Sequence, residues 1–119
     1  MSRTVIAQVA ALIGDERAFT QNALARDRNG DPCEPYSKKA KRWCPIGAAY
    51  MTTRTKLDSV KEVYPDHCAS ACAAMSRAAG MLHKMSMEGV TDKLGHAAVM
   101  EVLRQAWKIA EPNKKDDRR

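Results

Sequence analysis

Large apolar side chains are scarce in this chain, and that scarcity limits its possible folds more than any motif does. Leu, Ile, Val and Phe supply only 18 of 119 residues, against 19 Ala and 7 Met. With a net charge of +6, such a composition borders on disorder. However, many of the Ala, Met and Cys residues recur at helical spacing. Alanine is the best helix former and gives a sheet little to pack. The expected fold is therefore all-α, or mostly α with one small hairpin at 22–33. It is read as a single-domain bundle of four to five helices over 1–112, with a charged tail at 113–119. The length leaves no room for separate catalytic and cofactor domains.

Apolar periodicity places the elements. Val5, Ile6, Val9, Leu12 and Ile13 mark a first helix at about 3–13, stopped by Gly14. Asn29-Gly30 is a turn signal, because both residue types tolerate positive φ. Ser37 is a plausible N-cap for a second helix, since Ala40, Trp43, Cys44, Gly47, Ala48 and Met51 fall on one helical face. Pro45 should kink or split that helix. A short helix is expected at 58–64, ended by Pro65, and Asp66 should cap a longer one running to about Met85. Its inward stripe is read as Cys68, Ala71, Cys72, Met75, Ala78, Ala79, Leu82 and Met85. Residues 90–94 read as a loop between two glycines. In the last helix Val99, Val102, Leu103, Ala106, Trp107 and Ala110 form an inward stripe. The sequence holds no internal repeat.

The charge is unevenly spread. From Ser37 to Leu57 the chain carries Lys38, Lys39, Lys41, Arg42, Arg54 and Lys56 and no acid, so this stretch alone accounts for the net +6. On a helix with Trp43 and Cys44 inward, these cations would form a solvent-facing ridge able to meet phosphates or an acidic protein surface. An exposed lysine run also serves simple solubility. The N-terminal residues show neither a hydrophobic run of about 7–15 residues nor a secretory cleavage pattern, and no segment approaches 18 apolar residues. The expected location is cytoplasmic, with reduced cysteines.

Four cysteines invite two chemical readings. His67, Cys68 and Cys72, completed by Cys33 or Cys44, are weak candidates for a zinc shell, because no paired C-x-x-C supports them. Cys44 lies in a basic run and Cys68 near a helix start, so each meets one requirement of a nucleophile, but neither has a recognisable base beside it. The plainer reading makes these thiols small buried hydrophobes. The Asp residues at 15, 27, 31 and 92 fall in expected turns, and His83 and His96 read as surface or capping groups. No phosphate-cradling loop or dinucleotide fingerprint occurs. No cofactor is expected. Methionines at 81, 85 and 87 suit either core filling or an adaptable partner surface.

The stretch Ala23-Leu24-Ala25-Arg26-Asp27-Arg28-Asn29-Gly30, followed by Arg42-Trp43-Cys44-Pro45-Ile46-Gly47-Ala48, resembles a small family of bacterial and phage proteins of unknown function. That family's pattern is Ala-Leu-Ala-Arg-Asp-x-x-Gly and then Arg-Trp-Cys-x-x-Gly-Ala. The present chain departs from it in having Pro45 after the Trp-Cys pair and no aromatic before Asp92. The resemblance implies a fold and a phage or mobile-element origin, but no chemistry.

The function expected from size, charge and resemblance is non-enzymatic binding. The protein would occupy a surface of a host protein or protein–nucleic acid complex, as an inhibitor of a bacterial defence system does. The alternative is direct DNA or RNA binding through the basic face at 38–56. No membrane partner is expected.

Overall fold

The computed structural model describes residues 2–53 and 65–110. Among these, α1 (Ser2–Ile13) is followed by a two-stranded antiparallel sheet of β1 (Ala25–Arg26) and β2 (Arg42–Trp43). Then come α2 (Pro45–Thr53), α3 (Pro65–His83), the single turn α4 (Met87–Gly89) and α5 (His96–Ile109). The protein is thus mostly helical with one small hairpin, as the alanine content and turn signals imply. The expected short helix at 58–64 and the charged tail lie outside the described residues.

Small side chains let the helices come together. The buried side of α3 consists of Cys68, Ala71, Ala74, Met75, Ala78 and Ala79. With so little volume on this face, α3 packs directly against α1, α2, α4 and α5. Val5, Ile6, Val9 and Ile13 of α1, with Val99, Val102, Leu103 and Ala106 of α5, supply most of the remaining bulk. Leu82 departs from the inward stripe expected for α3 and is exposed. Lys84 takes a left-handed φ of 55° and donates its N–H to the Gly80 carbonyl, which turns the chain out of the helix just there.

The largest departure from the sequence reading lies between Ser37 and Cys44. This stretch is a turn and a strand, not the first half of a kinked helix. The Ala40 N–H reaches the Ser37 carbonyl at 3.1 Å, and Lys41 N–H and Cys44 N–H bond the carbonyls of Arg26 and Leu24 at 2.8 and 3.1 Å. Long-range pairing therefore claims the donors that a helix would have used. Pro45 opens α2 instead of kinking it, since the first helical position needs no N–H and suits a fixed φ. The small hairpin expected at 22–33 closes through the tight turn at 27–31: Arg26 bridges Pro32 antiparallel, and the Cys33 N–H reaches the Ala25 carbonyl. What the sequence reading missed is that β1 also pairs with β2, Ala25 opposite Trp43.

The segment 90–94 is one π-helical turn and not a loop, ended by Gly95 at a φ of 92°. Gly47 sits where α2 crosses the hairpin: a Cβ there would stand only 1.9 Å from the Leu24 carbonyl oxygen. Gly80, in α3, has open space around it. Gly47→Ala should therefore cost about 3 kcal/mol or more, through a clash with backbone that cannot yield. Gly80→Ala should instead stabilise by about 0.5–1 kcal/mol through helix propensity. Urea denaturation of both variants checks the opposite signs.

Candidate functional site

The basic residues leave the hairpin on a well-anchored turn. Ser37 Oγ accepts the Lys39 N–H at 3.1 Å, and the buried Trp43 indole donates to the Pro35 carbonyl at 2.8 Å. Arg26 fixes the other side, donating to Thr20 Oγ1 and to the Gly30 and Gln21 carbonyls at 2.8–3.2 Å. Asp27 Oδ1 accepts the N–H groups of Asn29 and Asp31 and holds the tight turn. Ala40 and Trp43 point into the core, which leaves Lys38, Lys39, Lys41 and Arg42 exposed. None of these four forms an ion pair among the described residues. Asp27, Asp31 and Glu34 precede the turn, so positive charge concentrates after Ser37. Arg54 and Lys56 lie outside the described residues.

A cleft of about 340 Å³ opens beside the hairpin, lined by Asn22, Leu24, Cys44, Ile46, Glu88 and Asp92 among others. Two bonds span its rim: Gln21 Nε2 donates to the Thr91 carbonyl, and the Asn22 N–H donates to Asp92 Oδ1, each at 2.8 Å. Asn22 adopts a φ of 64°, a conformation that asparagine tolerates. Cys44 stands at the head of α2, where its Sγ accepts the Gly47 N–H at 3.3 Å. The sulfur thus does the work of an N-cap oxygen.

That position does not make Cys44 a thiolate. Burial pushes its thiol above the ordinary value of 9.0 and outweighs the helix N–H groups of Gly47 and Ile46, while Asp92 and Glu88 push the same way as burial. Among the described residues no histidine lines the cleft. Cys68 and Cys72, four apart on α3, hydrogen-bond to each other, and that bond first and burial second raise the Cys72 thiol. Tyr50 is also raised, chiefly by burial, with these thiols as neighbours. The half-buried Cys33 is raised by burial and by Asp27. Among the described residues no group of three or more His, Cys, Asp or Glu is placed to hold a metal ion. The His67 side chain lies outside that description.

His96 and His83 stand at helix ends. His96 Nε2 lies 2.8 Å from the Ile13 carbonyl at the end of α1, and its ring meets Phe19 edge-on. His83 Nε2 lies 3.3 Å from Glu101 Oε1. Met87 is 1% exposed and Met81 60%, so the methionine segment divides between core and solvent and does not present one surface. Two structural arginines, Arg3 and Arg26, escaped the sequence reading. Arg26 was visible inside the Ala-Leu-Ala-Arg-Asp stretch, but nothing there indicates that it serves carbonyl groups. No helix among the described residues is long and apolar enough to cross a membrane.

The chain belongs to a family of unknown function, DUF6197, whose family model matches residues 2–112. No curated protein and no solved structure matches it.

The raised thiols give stability a pH dependence of definite sign. A folded-state value above 9.0 means that folding favours the protonated thiol. This contribution is complete below about pH 9 and is lost as pH climbs through the raised values. Urea midpoints should fall from about pH 9 upward, and Cys72→Ala should fall less steeply than the parent. Parallel slopes would show that the thiol pair contributes nothing.

Proposed function

We propose that this member of a family of unknown function is a non-enzymatic binding protein. It uses Lys38, Lys39, Lys41 and Arg42 to occupy an acidic surface of a host protein or protein–nucleic acid complex. One observation carries the reading: four cations stand exposed within five positions, on a turn held by Trp43, Arg26 and Ser37. An anchored turn loses little backbone entropy on binding, so its charges are presented already in place. The protonated state of Cys44 supports binding over nucleophilic chemistry in the neighbouring cleft. Trp43 is committed to the core, which leaves the turn without that ring for base stacking and favours an acidic protein surface over a single strand. Acting by surface occupation is the mode of a small phage-encoded inhibitor of a bacterial defence system.

The test is a charge-reversed variant, Lys38→Glu with Lys39→Glu, Lys41→Glu and Arg42→Glu, used beside the parent as bait in native host extract. All four side chains face solvent, so circular dichroism and melting temperature should be nearly unchanged. The partner captured by the parent should be lost from the variant, and equal capture removes the turn from the account. Direct nucleic-acid binding would appear instead as affinity for a short DNA duplex that falls with salt. Four phosphate contacts give a log–log slope of about −3.6.

A further inference from the structure

A second surface lies between the first and last helices. Ile6, Ala7 and Ala10 of α1 face Met100, Leu103 and Trp107 of α5 across an apolar groove of about 440 Å³, with Arg104 and Lys108 on its edge. The alanines leave space that larger residues would have filled. Ile6 and Leu103 form a closed floor, each 1% exposed, while Trp107 stands 44% exposed at the rim.

The Trp107 ring is held in place. The Arg3 guanidinium lies over it, 4.4 Å from the ring centroid, and donates to the Trp107 and Lys108 carbonyls at 3.0 and 3.3 Å. The groove therefore offers a rigid aromatic anchor, the kind of residue that dominates protein interfaces. Its charge is one-sided. Arg3, Arg104 and Lys108 surround it, and among the described residues no acid lines it. Glu101, on the same helix, is turned toward His83 of α3.

We infer that this groove docks an amphipathic helix of a partner protein, with an apolar stripe flanked by acidic residues. A third helix laid between two others buries side chains at i, i+3 or i+4, and i+7, which matches the form of the site. The acidic flanks follow from the basic rim. A second copy of this chain would place Arg3, Arg104 and Lys108 against their own kind. Residues 111–119 contain no Leu, Ile, Met, Phe or Trp with which to fill the groove. The end of α2 lies beside a different α1 face, where Gln8, Ala11 and Leu12 meet Met51 and Thr52. The site is also distinct from the basic turn. Arg42 lies near Gly95 and His96, at the N-terminal end of α5, and the groove lies toward its C-terminal end.

Two synthetic helical peptides without tryptophan test this: one has a leucine stripe flanked by Glu, the other the same stripe flanked by Lys. Trp43 is buried, so a change in emission on titration reports Trp107. The Glu peptide should shift that emission and bind at least about tenfold more tightly than the Lys peptide. Arg104→Glu with Lys108→Glu, both exposed, should reverse the preference. The charge-reversed turn should leave affinity within about twofold, which separates this groove from the turn. Equal affinity for the two peptides, no emission shift, or affinity unchanged in Trp107→Ser would overturn the inference. So would sedimentation showing a dimer that Trp107→Ser abolishes.

Discussion

Backbone meets backbone where α2 crosses the strand segment at Leu24, and the rest of the molecule is arranged around that contact. The Leu24 carbonyl takes the Cys44 N–H, and the missing side chain of Gly47 lets the helix lie directly on it. This one approach sets three things together: the register of the hairpin, the start of α2, and the position of Cys44 as its cap. It also explains why the two segments that carry the family resemblance are separated by eleven residues and still form one unit. Arg26 and Asp27 satisfy loop carbonyl and amide groups, Trp43 closes the core, and Gly47 provides the approach. The residues of the resemblance therefore serve architecture before anything else.

The alanine-rich interior follows a related logic. A chain with few large side chains fills its core by bringing helix axes together, not by growing the residues between them. In α3 this gives a central helix with neighbours on several sides and, among its described residues, only Met75 as a large fully buried side chain. Dispersion contacts across small residues are short-ranged, so such faces tolerate little added volume. The same economy leaves gaps at the periphery, and the space beside Ala7 and Ala10 is one of them.

Much of this was legible in the sequence, for a physical reason. Helices α1, α3 and α5 have apolar stripes many turns long, so their local pattern and their burial agree. Trp107 shows the limit, since helical spacing puts it on the stripe while the rim of a groove leaves it half in solvent. The segment before Pro45 was misread because a two-residue strand has no period of its own. Its hydrogen bonds come from Leu24 and Arg26, far along the chain, and spacing alone cannot tell Trp43 on a helix face from Trp43 on a strand. The exposure of Lys38, Lys39, Lys41 and Arg42 was foreseen although the element was wrong, because neither geometry would bury four unpaired cations. Arg3 and Arg26 were not seen. An arginine that serves carbonyl oxygens leaves no mark in composition or periodicity.

Arg3 ties the first turn of α1 to carbonyl groups 104 residues later. In a growing chain α1 is made well before α5, the helix that completes its packing. Until α5 joins it, the apolar face that Ile6 shares with Leu103 stays open. The architecture thus ties completion of the core to the arrival of α5.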